Sequence, residues 1–587
     1  MPSPDTIPHI DTFSNIESHF KVFAGPGAGK TTWLASHLKR VLTESERLGV
    51  TRKIACITYT NVAAEEILKK LDCDKSRFEI STIHGFLYHN IVKPFAYLIN
   101  KGEATELFDI NELSGHEEHI PRLDKINSWI STLGAERGRD YSYLIRASNK
   151  ATLIKCLSDL HWKLDTNGVG LKFKNSYRNR DASAIRLPTT GLMGYKQKYW
   201  QKGTMHHEDV LYFSYQIINK SPRVLDFIRN KYPYIFIDEF QDTTELQTWI
   251  IKKIANPVTK VGVIGDLAQS IYKFAGANRS DFERFTLNGL TTYELNTNRR
   301  STQNIIKFLN ELRSDIQQGW SEAASVGNPV KVLVGPITEA LQWLNMNGFD
   351  QIYILTHRNE SVESIKAQNS GGGSDKLKEL FSTDSNPSRA KSLYSILMGY
   401  RLYKKGYPKE GLKEISKPVK KEGSISSTLL LRRVAIRILE ILKLEDWRRK
   451  SLYDFYMNLL DLLNQEYRFK IGARLATGSI KTFYQSITVE ELLPYIKVDT
   501  RSEDTVRTIH SAKGTEFDNV LVHFETASDF EQNVLNAKTK IAGVSDDARL
   551  YYVGLSRAKE NLFINIPEIE DTLLEKICEL NLEAVVL

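Results

Sequence analysis

The octapeptide Ala24-Gly25-Pro26-Gly27-Ala28-Gly29-Lys30-Thr31 narrows what this chain can fold into more than any other feature. It stands between an apolar run, His19 to Ala24, and a segment of helical periodicity, Thr32 to Val41. A strand that turns through small residues into a helix leaves the first N–H groups of that helix unpaired, and together with the positive end of the helix dipole they attract an anion. With no bulk at Gly25, Gly27, Ala28 and Gly29, the backbone can close around phosphate oxygens. Lys30 then reaches the β and γ phosphates, Thr31 offers its hydroxyl to Mg²⁺, and Thr32 continues the cradle. The pattern predicts a P-loop at the edge of an α/β core.

A second element fits the first. Tyr234-Ile235-Phe236-Ile237-Asp238-Glu239 reads as a buried strand ending on two adjacent carboxylates. Side chains alternate along a strand, so the two point in different directions: Asp238 can serve a metal while Glu239 polarises water for attack on the γ-phosphate. Further short apolar runs, Lys53 to Thr58, Lys260 to Gly265, Val330 to Val334, Gln351 to Thr356 and Asn519 to Phe524, have the look of strands covered on both faces. The fold class expected is α/β with two parallel sheets. A length of 587 residues leaves room for more, since roughly 150 residues per domain gives about four.

The remaining length is where the positive charge sits. The chain carries +8 overall, whereas Lys163 to Lys202 alone holds nine basic and two acidic residues, and Arg389 to Lys450 holds 17 and six. Everything outside these two segments is therefore net acidic. The first is interleaved with Phe173, Tyr177, Tyr195, Tyr199 and Trp200, and basic residues among stackable rings suggest a single-stranded nucleic-acid track. Ser370 to Ser374, with three glycines, reads as a flexible loop. Four cysteines without a C-x-x-C pair suggest neither a disulfide framework nor a zinc site. With no apolar signal region and no run of 18 apolar residues, a cytoplasmic protein that avoids membranes is expected.

Further motifs occur in an order that resembles the UvrD/Rep-like helicases of superfamily 1. Thr58-Tyr59-Thr60-Asn61-Val62-Ala63-Ala64 is similar to TFTNxAA, Ser81 to Phe86 to a T-x-H segment, and Asp238 to Thr243 to DEFQDT. Gly265 to Ala277 resembles GDxxQSIYxFxGA, and Asn298-Arg299-Arg300-Ser301 resembles NYRS. Thr508 to Phe517 is similar to TxHxxKGxEF, and Tyr551 to Lys559 to YVAxTRAK. The resemblance implies two RecA-like P-loop NTPase cores with two mainly helical insertions. Core 1A would be residues 1–92 and 205–297, insertion 1B 93–204, core 2A 298–365 and 496–587, and insertion 2B 366–495.

It also implies residue roles. ATP and Mg²⁺ would lie between the cores, with Glu239, Gln269, Arg300 and Arg557 catalytic, the two arginines as fingers from the second core, and Arg299 and Glu516 beside the P-loop residues at the nucleotide. Tyr59, Asn61, His84, Tyr272, Phe274 and His510 would contact DNA. The activity implied is that of an ATP-dependent helicase or translocase on single-stranded DNA and ss/ds junctions, with 3′→5′ polarity. A second expectation, from resemblance to compact UvrD-like subunits of Gabija-type anti-phage systems, is a DNA- or nucleotide-sensing ATPase that activates a partner nuclease. About thirty residues follow Arg557, so no C-terminal nuclease domain is expected and any cutting falls to a partner. Two departures bear on nucleotide choice: no Gln precedes Gln197, where the family carries an adenine-reading Gln before the P-loop, and Arg299 replaces the adenine-stacking Tyr.

Overall fold

The computed structural model describes residues 5–6, 15–102, 106–113, 115–133, 150–166, 168–173, 191–273, 276–369, 376–384, 386–421, 428–467, 469–475, 478–496, 505–538, 545–580 and 582–587. Two compact units form, one from residues 1–362 and 506–587 and the other from 363–505.

The larger unit contains two wholly parallel sheets. The first has the strand order Asp5–Thr6, Leu290–Leu295, His19–Ala24, Lys260–Gly265, Tyr234–Ile237, Ile54–Thr58, Phe78–Thr82. Its central strands alternate strictly between two cores. Phe20, Val22, Cys56, Tyr234 and Phe236 face Trp33, Leu34 and Leu38 of helix Lys30–Glu44. Ala55, Ile57, Ile235, Ile237, Val261 and Val263 face the other way, towards helices His207–Lys220, Arg223–Lys231 and Glu245–Ile254. Burial on both faces explains why these strands read as continuous apolar runs.

The second sheet runs Val506–Thr508, Ile352–Thr356, Phe517–His523, Ala558–Ile566, Lys331–Val334, Glu583–Val586. Helices Gln303–Glu311 and Asp546–Leu555 pack into its core. All seven apolar runs read from the sequence are strands, two of them, His19–Ala24 and Lys260–Gly265, with the same limits. The reading missed Phe78–Thr82, Leu290–Leu295, Val506–Thr508, Ala558–Ile566 and Glu583–Val586, in which polar residues interrupt the apolar pattern.

The first basic segment corrects an expectation. Tyr195, Tyr199 and Trp200 are buried in the core under the first sheet, and Phe173 packs against it, so none is an exposed stacking ring. Tyr177 lies outside the described residues. Even Lys196 is buried, paired at 2.8 Å with Asp209, whose carboxylate also accepts from the indoles of Trp162 (3.2 Å) and Trp200 (2.9 Å). Of the rings that looked available to bases, Trp200 donates to the buried ion pair, and the hydroxyls of Tyr195 and Tyr199 meet at 3.1 Å. Burial would raise the Asp209 pKa, but Lys196 and His206 hold it far below the usual carboxylate range.

The smaller unit is helical: Pro387–Lys404, Pro408–Ser416, Thr428–Lys443 and Leu452–Tyr467 enclose a core that includes Leu393, Leu397, Ile438 and Leu460. Part of its positive charge is used internally. Arg389 is buried with its guanidinium forked on Asp384 (2.9 and 2.6 Å), Arg437 pairs with Glu466, and Lys404 with Glu445. Ser370 to Ser374 lies outside the described residues. No helix among the described residues is long and apolar enough to cross a membrane.

Candidate nucleotide site and nucleic-acid track

In a parallel sheet the loops leaving the carboxyl ends of adjacent strands converge, and ligands bind there. Strands His19–Ala24, Tyr234–Ile237 and Lys260–Gly265 are neighbours, and their following loops carry the P-loop, the Asp238-Glu239 pair and Asp266 to Gln269. A cavity of about 470 Å³ lies at this point. Gly25, Gly27, Ala28, Gly29, Lys30, Thr31 and Thr32 line it on one side. Glu239, Gln269, Arg299, Arg300, Glu516 and Arg557 line it on the others.

Gly27 (φ +68°) and Gly29 (φ +76°) are left-handed, and Gly29 caps the helix that starts at Lys30. A second reason for glycine was invisible in the sequence. A Cβ on Gly25 would sit 2.3 Å from Gln318 Nε2, and one on Gly27 would sit 2.4 Å from Asn298 Oδ1. Gln318 donates to the Pro26 carbonyl (2.9 Å) and the Arg299 N–H to the Gly27 carbonyl (2.9 Å), so segments leading to the second sheet clasp the P-loop directly.

The two carboxylates part, though beyond the end of the strand at Ile237 rather than by alternation along it. Asp238 is buried, does not line the cavity, and accepts the Glu239 N–H at Oδ1 (2.9 Å). Glu239 is left-handed (φ +52°), a conformation costing a non-glycine residue about 1–2 kcal/mol, and this turn delivers its carboxylate to the cavity, 4.0 Å from Lys30 Nζ. Gln241, fully buried and given no role by sequence reading, donates to Glu239 Oε2 and accepts the Asp266 N–H (3.0 Å). Burial favours the neutral acid at both carboxyls. At Glu239, Lys30 and Lys513 reverse this and keep it ionised, whereas at Asp238 the Glu239 charge adds to burial and pushes the pKa up.

Thr31, on the cavity wall beside a cradle for phosphate, is a hard oxygen donor that matches the chemistry of Mg²⁺, which takes one or two protein oxygens and completes its shell with phosphates and water; Asp238 has the same donor chemistry but does not line the cavity. The residues present fit that ion.

The opposite wall is a chain of polar contacts. Gln269 donates to Asp266 Oδ2 (2.7 Å) and accepts from Arg557 (2.9 Å). Arg557 is buried and held by the carbonyls of Val553 (2.9 Å) and Thr515 (3.3 Å). Burial, then Arg300, lowers its pKa to about 9, which leaves it charged at neutral pH. Arg300 donates to Glu516 (2.7 Å) and to the Ser556 carbonyl (2.9 Å). Sequence reading missed Glu66, Lys70 and Gly514 on the cavity wall; Lys70 donates to Thr32 (3.2 Å) and pairs with Glu66 (2.9 Å) across one helical turn.

Of the residues expected on a DNA track, three come together: the rings of Tyr59 and Tyr272 stack at 4.7 Å, and His510 lies 6.3 Å from Tyr272. Asn61 opens helix Asn61–Lys70 and is exposed. His84 sits in a separate cluster with His207, 6.2 Å away, and His116; burial, then these neighbours, lowers its pKa to about 4. Phe274 lies outside the described residues. Lys513 joins track to cavity, because its ammonium stands 4.7 Å over the Tyr272 ring, donates to the Gln269 carbonyl (2.8 Å) and pairs with Asp242.

Comparison with known proteins agrees with this arrangement. Residues 10–288 match the UvrD/REP helicase N-terminal domain and residues 410–568 the UvrD-like helicase C-terminal domain. DNA helicase II of Rickettsia typhi is 22% identical over 94% of this chain and 90% of its own length. The ATP-dependent DNA helicases PcrA of Staphylococcus epidermidis and Staphylococcus aureus are each 25% identical over 50% of this chain and 38% of theirs. With both domain families matched, the chain belongs to the UvrD/Rep-like helicases of superfamily 1, which are ATP-hydrolysing, DNA-dependent enzymes.

Proposed function

We propose that this chain is an ATP-dependent DNA helicase or translocase that moves 3′→5′ on single-stranded DNA. Sheet one and its flanking helices act as core 1A and sheet two as core 2A, with 93–204 and 366–495 as insertions 1B and 2B. The observation that carries the reading is Lys513, whose ammonium touches both a stacked tyrosine of the track and the loop of Gln269 on the nucleotide wall. A base displacing Tyr272 and a change at the nucleotide are thereby felt by one side chain.

In hydrolysis the P-loop N–H groups and Lys30 hold the phosphates of ATP, and the ionised Glu239 takes a proton from the attacking water. Gln269 presents its amide to the γ-phosphate, while Arg300 and Arg557 stabilise charge on the transferred group. Thr31 and Asp238 are the residues that would hold Mg²⁺, which would supply further neutralisation of phosphate charge.

The test is strand separation by the purified chain on partial duplexes with a 3′ or a 5′ tail. ATP-dependent unwinding of the 3′-tailed substrate is expected; unwinding of only the 5′-tailed one overturns the polarity. Feeble unwinding combined with strong DNA cleavage once a partner nuclease is added would favour the sensor reading, to which the altered nucleotide wall at Arg299 also lends support.

That wall yields a prediction on nucleotide choice. Arg299 can stack on a purine without distinguishing adenine from guanine, and no Gln precedes the P-loop to read the base edge. The ratio of kcat/KM for ATP over GTP is expected to stay below about a hundredfold, since larger discrimination generally needs dedicated hydrogen bonds to the base. Steady-state ATPase and GTPase assays with saturating oligonucleotide measure it.

A further inference from the structure

Arg313 belongs to none of the motifs, lies just after helix Gln303–Glu311, and is fully buried. Its five N–H donors are all engaged. Nε and one terminal nitrogen fork onto Asp315 (2.8 and 2.9 Å), two donors reach the carboxylate of Asp266 (3.2 and 3.4 Å), and one reaches the Tyr552 hydroxyl (3.1 Å). Asp266 is equally committed and equally buried. Oδ1 accepts from the Ala268 N–H (3.0 Å) and Arg313, and Oδ2 accepts from Gln269 Nε2 (2.7 Å) and Arg313. The four lone-pair sites of the carboxylate are filled.

Gln269 has its Nε2 on Asp266 and its Oε1 on Arg557. An amide can face either way unless its partners decide, and here a fixed acceptor on one side and a cationic donor on the other allow one orientation. Resting on the ATPase reading above, we infer that Arg313 is a positioning residue for hydrolysis: by locking the Asp266 carboxylate it fixes the orientation of Gln269 against Arg557. The same guanidinium bonds Tyr552, on helix Asp546–Leu555, which ends two residues before Arg557. One buried cation thus holds both partners of the Gln269–Arg557 contact in register, the Gln through Asp266 and the Arg through its helix. Lysine cannot substitute, having three donors and no planar fork.

The test is a double-mutant cycle between Arg313→Lys and Gln269→Ala, read as DNA-stimulated kcat per nucleotide site titrated with a fluorescent ATP analogue. Arg313→Lys is expected to lower kcat about 10- to 100-fold, the scale of a roughly 1 Å misplacement of a catalytic group, with analogue affinity unchanged within threefold. Combined with Gln269→Ala it should lose no more than Gln269→Ala alone, because the second change removes the group that Arg313 positions. Multiplying losses, or wild-type kcat in Arg313→Lys, would overturn the inference. Should Arg313→Lys fail to fold, Arg313→Met with Asp266→Asn and Asp315→Asn removes the buried cation together with both carboxylates it pairs with, a change buried ion clusters often tolerate. Its kcat should stay low, since Ala268 and Gln269 donate to different oxygens of Asp266 and the amide puts an NH₂ donor at one of those two positions; full recovery would show that Arg313 merely neutralises Asp266 and overturn the positioning role. A wild-type chain without DNA-stimulated hydrolysis would instead defeat the underlying ATPase reading.

Discussion

Glu239→Gln will bind ATP and fail to turn it over. The carboxylate reaches the cavity only because its backbone adopts a left-handed turn, and it stays ionised only because Lys30 and Lys513 outweigh its burial. The amide preserves size and the contact with Gln241 but cannot accept a proton from water, and loss of a well-placed general base costs about 10²–10⁴ in rate. Lys30→Ala should differ by losing affinity as well, because its ammonium is the P-loop's own cation at the phosphates. Analogue binding and single-turnover hydrolysis separate the two. Turnover of Glu239→Gln within tenfold of wild type would require another base, and no other carboxylate among the described residues lies as close to Lys30.

Tyr272→Ala should weaken single-strand binding by about 1–3 kcal/mol, roughly 5- to 150-fold, and reduce DNA stimulation of the ATPase in parallel. Removing the ring takes away a stacking face and also the surface beneath the Lys513 ammonium, so the signal to Gln269 is interrupted at its first contact. Tyr59→Ala should weaken binding comparably while leaving the Lys513 contact in place, so more of the stimulation should survive once DNA is saturating. Neither change removes a phosphate contact, so the slope of log affinity against log salt should hold. Neutralising lysines or arginines that touch phosphate would flatten it by about 0.7 per contact. Oligonucleotide titrations across a salt series distinguish these outcomes; a Tyr272→Ala protein with wild-type affinity would remove the stacked pair from the track.

Much of the candidate nucleotide site could be read from the sequence because its chemistry is local. Phosphate binding needs small residues, a lysine and a hydroxyl within one turn after a strand, so Gly25 to Thr32 announce themselves by order alone. That Asp238 and Glu239 point different ways was anticipated from strand alternation, but the strand stops at Ile237 and it is the left-handed turn at Glu239 that separates them. The aromatic residues of the first basic segment misled for the complementary reason. Tyr195, Tyr199 and Trp200 have the composition of a stacking platform, yet on helix Leu192–Trp200 all three are buried in the core, Trp200 against Asp209, and composition carries no information about which face is covered. Gln241 stood in a recognised motif without a role, since its partners, Glu239 and the Asp266 N–H, are joined only when two strands lie side by side.

By itself, the order of residues determined that a P-loop follows a buried strand, that two carboxylates follow a neighbouring strand, and that seven apolar runs become strands; the part given to Arg300 and Arg557 came from the resemblance alone. Only the tertiary structure decided which atoms meet. Arg557 is 288 residues from the Gln269 it contacts, Lys513 is 244 from the same loop, and Gln318 is 292 from the Pro26 carbonyl it holds. Such contacts depend on the pairing of strands into sheets and the docking of one sheet's loops on another. These are set by the shape of buried surfaces summed over the whole chain, and no short window of sequence contains that sum.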